Sequence, residues 1–93
     1  MKFEWNPRKA TANVSKHGVS FSEAATVLGD PLGRTACDPD HSSAEDRYIT
    51  VGRSNRDRLL IVSHTERGDR IRIISARELT RAERKAYENE TQK

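Results

Sequence analysis

The sequence holds a single cysteine, Cys37, among 93 residues. That excludes an internal disulfide and any zinc site built on four thiolates, and it suits a reducing compartment, so a cytoplasmic location is expected. No apolar run approaches the ~18 residues of a membrane span. The opening MKFEWNPRK lacks the apolar stretch of a secretion signal. Aromatic residues make up 5% of the chain and apolar residues 33%, so the core is lean. A single domain of this size is expected at or below the ~5–15 kcal/mol of net stability usual for globular proteins, and a partner subunit would add to it. There is no phosphate-binding glycine loop, no dinucleotide fingerprint, no HExxH pair and no zinc spacing. No cofactor or metal is therefore expected, and any chemistry falls to ordinary side chains.

What the chain does have is charge. A third of it is charged, the net charge is +3 and the pI is about 9.4. The cations are 12 Arg and 5 Lys. The guanidinium of Arg is a planar fork that clamps phosphate through two hydrogen bonds and stacks on bases. Residues 47–85 carry 11 basic against 5 acidic side chains. A solvated surface would explain such a bias, and so would a nucleic-acid partner.

The pattern predicts an α+β domain occupying residues 1–93. Residues 1–5 read as a strand, with Phe3 and Trp5 on one side. Asn6-Pro7 opens a helix that ends at Gly18, with Ala10, Val14 and His17 on its apolar face. Ser20 and Glu23 form a capping box for a second helix, whose stripe is Phe21, Ala24, Ala25 and Leu28. This helix pair, residues 7–28, should cover an antiparallel sheet of three to five strands within residues 33–77. Its strands fall at 33–37, 47–53, 58–65 and 70–76, the last three as a meander, and residues 38–44 form a polar loop. In RIRIISAR the alternation slips at Ile74, which joins the face of Arg70 and Arg72. A second capping box, Thr80 with Glu83, starts a basic, weakly apolar helix at 80–90. That helix should dock loosely.

The reaction these side chains suit is metal-independent RNA cleavage by 2′-OH attack, which needs a base, an acid and a cation for the phosphorane. His17 closes the first helix beside Lys16; it either transfers protons or caps the helix dipole. His64 and Glu66 share a strand face and form a candidate acid/base pair, with a half-buried structural histidine as the alternative. Arg77 follows the last strand and is a candidate phosphate clamp. Arg72 is another, facing the opposite way, unless it pairs with Glu66. Arg67 and Arg70 flank a hairpin tip, where phosphate contact is the default. Arg81 and Arg84 project from the last helix, and Tyr87 either stacks a base or anchors that helix. Trp5 reads as core. His41 has no assigned role, and Glu45 with Arg47 reads as a strand-face pair.

The blocks FEWN-P-x-K, KHGVSF, Glu45-x-Arg47, HTERGDRIRIISAR and ERKAY, in this order, make the chain from Phe3 to Tyr87 resemble the BrnT-type toxins. The resemblance implies the toxin half of a bacterial type II toxin–antitoxin pair, with a RelE-like fold and a ribonuclease activity that stops translation. It also implies a ribbon-helix-helix antitoxin, a complex of two copies of each, and contact with operator DNA only through the antitoxin. The matching polar positions are Lys9, Asn13, Lys16, His17, Glu45, Arg47, Arg67, Arg72, Arg77, Glu83, Arg84 and Tyr87. Asn6 departs from the Asp common in the family. The resemblance makes the loosely docked last helix a surface for the antitoxin to cover. The alternative to an enzyme is a non-catalytic module that binds nucleic acid or antitoxin and acts in operon repression.

Overall fold

The computed structural model describes residues 2–38 and 47–91. Five strands and three helices follow the order β1 (Lys2–Glu4), α1 (Pro7–His17), α2 (Phe21–Val27), β2 (Arg34–Cys37), β3 (Arg47–Arg53), β4 (Leu59–Arg67), β5 (Arg70–Glu78) and α3 (Arg81–Thr91). They form one sheet in the order β1-β5-β4-β3-β2. Strands β2 to β5 pair antiparallel, but β1 lies parallel to β5, with Phe3 opposite Ile71. The sheet is therefore mixed rather than antiparallel. The reason lies in the connection: the whole helix pair and three strands intervene before the chain returns beside β1, and strand periodicity carries no sign of direction.

Local chemistry sets the helix ends. Asn6 caps α1 by accepting the Arg8 N–H at 2.8 Å and the Lys9 N–H at 3.3 Å. Gly18 closes it in the left-handed region, with φ +68°, where a side chain would be strained. Ser20 caps α2 by accepting the Glu23 N–H. The return half of that capping box does not form, because the Glu23 carboxylate is taken by Arg58 and Ser54. This buried network ties α2 to the β3–β4 turn, and Arg58 also donates to the Gly18 carbonyl at 3.2 Å.

The core lies between α2 and one face of the sheet. Val19, Phe21, Ala24 and Val27 meet Leu60, Val62, Ile73 and Ala76, and Trp5 packs edge-on against Phe21 with ring centroids 6.1 Å apart. On α1 the buried position is Asn13, at 6% exposure, not Val14, at 50%. Of the expected apolar face, Ala10 packs against the core, but Val14 gives way to the polar Asn13 because β1 is short. Beyond it the β5 edge has open backbone groups, and the Asn13 amide fills the gap. It donates to the Ala76 carbonyl at 2.8 Å and accepts the Ala76 N–H at 3.2 Å.

The slip at Ile74 is a β-bulge. Ser63 pairs with Ser75 and His64 with Ile73, leaving Ile74 out of the ladder. By the register on either side, Arg72, Ser75 and Arg77 all lie on the sheet face opposite the core, which overturns the opposed facing expected for Arg72 and Arg77. Helix α3 crosses that face. Among the described residues no helix is long and apolar enough to cross a membrane.

Candidate functional site

On the sheet face opposite the core, described residues line two cavities. One, of about 330 Å³, is lined by His17, Asp38, Ser63, Ser75 and Arg77 over a floor that includes Ile49 and Ile61. Its size falls at the lower end of the ~300–1,000 Å³ usual for ligand pockets. Its side chains converge from distant points of the sequence. Ser63 and Ser75 are cross-strand partners at the bulge, and Arg77 pairs with Ile61 two residues on. Asp38 follows β2, held by its N–H to the Arg47 carbonyl at 2.8 Å. His17 arrives from the last turn of α1, which the Asn13–Ala76 bonds fix against β5. Residue 76 immediately precedes Arg77, so one clamp sets both His17 and Arg77.

Arg77 is held on one side. It donates from Nη1 to Glu83 Oε1 at 2.8 Å and from Nη2 to Glu83 Oε2 at 3.1 Å. Nη1 also donates to the Glu78 carbonyl at 3.1 Å. Glu83 accepts the Thr80 N–H at 2.9 Å while Thr80 Oγ1 accepts the Glu83 N–H at 3.2 Å, so the capping box expected at the start of α3 is formed. The Arg77 guanidinium, followed by the Thr80 N–H, draws the Glu83 carboxyl down to about 2. The hydrogen bond to Glu83 raises Arg77 in turn.

His64 is placed elsewhere. It lies on the core face with Leu60 and Val62, at 6% exposure, and stacks on Tyr48 at 6.0 Å. Its Nε2 is 2.8 Å from Thr50 Oγ1, which is 2.7 Å from Thr35 Oγ1. Its Nδ1 is buried without a partner among the described residues. Burial lowers the imidazole's affinity for a proton, partly offset by the Glu66 charge. Glu66 itself is exposed. The strand-face pair is thus real in register, but a sheet's thickness separates His64 from the cavity that holds His17 and Arg77.

The remaining cations are spread out. Arg72 donates to Glu4 at 2.8 Å across the parallel β1–β5 pair, so its partner is Glu4 rather than Glu66. Arg67 and Arg70 flank the Gly68-Asp69 turn, about 23 Å along β5 from Arg77 for the seven residue steps from Arg70 at ~3.3 Å each. Lys9 and Lys16 are exposed on α1, and Arg81 and Arg84 on the first turn of α3. Tyr87 donates its hydroxyl to the Leu32 carbonyl at 3.0 Å. With Arg34, Ala36, Ile49, Val51, Leu79 and Ala86 it lines the second cavity, about 490 Å³, between α3 and the sheet. Burial, then the Asp30 charge, raises the phenol above its ordinary value. His41 and Glu45 lie outside the described residues. Asp38 escaped the sequence reading because composition placed it in a loop. Asn13 appeared there as a polar position matching the resemblance, with no role given to it; its spacing four before His17 was the available signal.

A family model described as the ribonuclease toxin, BrnT, of type II toxin–antitoxin systems matches residues 5–83. The crystal structure of the Brucella abortus ribonuclease toxin, BrnT, is similar with a TM-score of 0.67 and 23% identity, covering 87% of this chain and 99% of that one. At that identity the likeness speaks for the fold. No curated protein matches the sequence.

Proposed function

The chain belongs to the BrnT family of ribonuclease toxins of type II toxin–antitoxin systems, and from that premise we propose that it cleaves RNA without a metal, at the cavity lined by His17 and Arg77. The observation that supports this is their convergence: a titratable imidazole and a guanidinium from separate elements line one cavity of about 330 Å³. An imidazole can accept a proton at one nitrogen and donate one from the other, which suits it to move the 2′-OH proton or to protonate the leaving 5′-oxygen. Asp38, on the same cavity, is the candidate partner for the opposite transfer. Arg77 bears on the phosphate, where its fork stabilises charge developing on the phosphorane oxygens. Lys16, Arg81 and Arg84 lie near enough in sequence to these groups to guide the strand. Arg67, Arg70 and Arg72 are remote or paired, and their contribution is confined to long-range attraction. His64 is structural in this reading, and Glu66 goes with it.

A type II toxin has an antitoxin partner. We infer that this one is a ribbon-helix-helix protein, that two copies of each assemble, and that operator DNA is reached through the antitoxin alone. The fold is read as RelE-like and the outcome as arrested translation in the cytoplasm. The surface proposed for the antitoxin is α3 with the apolar cavity beneath it. A +3 toxin also favours an acidic neutralising segment.

The test is cleavage of a defined RNA in EDTA by the wild type and by His17→Ala, Arg77→Ala and His64→Ala. Cleavage is expected to survive EDTA, to fall 100-fold or more for the first two, and to persist in the third wherever it folds. RNA that is bound but left intact by the wild type would favour a non-catalytic binding module instead.

A further inference from the structure

Arg77 has five N–H donors, and the structure accounts for three of them. Glu83 takes one from each terminal nitrogen, and the Glu78 carbonyl takes the second from Nη1. Among the described residues nothing accepts from Nε or from the remaining Nη2 hydrogen. Those two donors are neighbours along one edge of the guanidinium plane. They form the parallel fork that grips two oxygens of a phosphate.

We propose that Glu83 is a positioning residue for RNA cleavage: it fixes Arg77 so that the Nε/Nη2 edge is presented to the scissile phosphate. The inference rests on the reading of the His17–Arg77 cavity as the site. An arginine near a strand end has several free torsions, and ordering them on substrate binding costs conformational entropy. Glu83 removes that freedom beforehand, through a two-point contact that a single hydrogen bond would not give. Its own freedom is removed by Thr80, whose N–H it accepts at 2.9 Å. The chain of contacts runs from the helix cap through the carboxylate to the guanidinium. It makes the first turn of α3 part of the site, although no α3 side chain lines the His17 cavity.

A carboxylate on an arginine fork has an opposite reading, in which Glu83 competes with phosphate for Arg77. The geometry weighs against it, since Glu83 occupies the end of the guanidinium and leaves the Nε/Nη2 edge open. The two readings predict opposite signs. A third reading makes Glu83 only a helix cap.

The experiment is a double-mutant cycle measured as single-turnover RNA cleavage in EDTA. It uses the wild type, Glu83→Ala, Arg77→Ala and the double variant, with Kd for a non-cleavable 2′-O-methyl oligonucleotide measured alongside. Glu83→Gln is added because glutamine keeps the cap to Thr80. The expected result is a 10- to 100-fold fall in the cleavage rate for Glu83→Ala, an intermediate fall for Glu83→Gln, and less than a threefold change in Kd. In the Arg77→Ala background, Glu83→Ala should change the rate less than twofold. Equal losses in both backgrounds would assign Glu83 to the cap and overturn the proposal. So would undiminished cleavage by Glu83→Ala, or tighter oligonucleotide binding. A wild type that leaves RNA intact removes the reading of the site itself, and this inference with it.

Discussion

Asn13 holds Ala76 by both of that residue's backbone polar groups, and its amide also donates to the Val19 carbonyl at 2.9 Å. One side chain thus replaces a missing strand along the β5 edge and joins both ends of the α1–α2 elbow to it. Because the site takes His17 from one side of this clamp and Arg77 from the other, stability and activity share a residue.

Asn13→Ala is expected to lower stability by about 2–4 kcal/mol. Each buried backbone group left without a partner costs about 1–3 kcal/mol, and three groups are exposed to that loss, with water able to enter at the edge. Asn13→Asp should be no milder, since a carboxylate cannot donate to the Val19 and Ala76 carbonyls. Urea unfolding with the slope unchanged would report the loss directly. A midpoint within 0.3 M urea of the wild type would mean that the edge finds other partners.

Gly52 faces a tight wall. A Cβ there would lie 3.0 Å from Asp30 Oδ2 and 3.2 Å from Val27 Cγ1. The same Asp30 oxygen accepts the Arg53 N–H at 2.7 Å, so the carboxylate cannot retreat without breaking that bond. Gly52→Ala is expected to cost about 1–3 kcal/mol, the range for overpacked cores. A melting temperature at or above the wild type's would show that the Asp30 loop gives way.

Acid should unfold the protein through Glu23. Its carboxyl is held below its ordinary 4.5 chiefly by the hydrogen bond from Arg58, against the opposing cost of burial. A group whose folded value is depressed stabilises the fold above the unfolded value, and that contribution is lost as pH falls through the folded one. Stability should therefore decline below about pH 4.5, with Glu83 adding a smaller, solvent-screened share nearer pH 2. Glu23→Gln should cost about 1–3 kcal/mol at pH 7, because it removes the charged hydrogen bonds from half-buried Arg58 and leaves it only the Glu78 carboxylate at 3.7 Å and the Gly18 carbonyl, and it should flatten the acid limb. An acid limb as steep as the wild type's would place the titration elsewhere.

Much of this was written in local sequence. Asn6-Pro7, Gly18 and the Thr80–Glu83 box act through neighbours a few residues away, so their chemistry is readable in a line. The slip at Ile74 was legible too, because a bulge breaks the period of two. Three features were not. The parallel pairing of β1 depends on where a distant strand arrives. The Glu23 carboxylate obeys the capping pattern until Arg58, 35 residues on, offers a stronger partner. Asp38 reaches the cavity through the β2–β3 register. The histidines separate for the same reason. A strand face names which residues share a side, and only the packed helices decide which side is buried.

His64 allows that separation to be measured. Burial depresses its proton affinity from the ordinary 6.5, with Glu66 pulling the other way. The unfolded chain then binds the proton more readily than the fold does, so stability should rise with pH through about 6.5 and be lost as pH falls below it. Replacing His64 with Gln keeps a group able to meet Thr50 Oγ1, now 2.8 Å from Nε2, and removes the titration. The variant should lose the stability slope between pH 5 and 7 that the wild type shows. Its pH–rate profile for RNA cleavage should nevertheless match the wild type's, because the cavity imidazole is His17. If instead the slope survives and the rate profile collapses, His64 is the acid or base and the assignment of the two histidines is reversed.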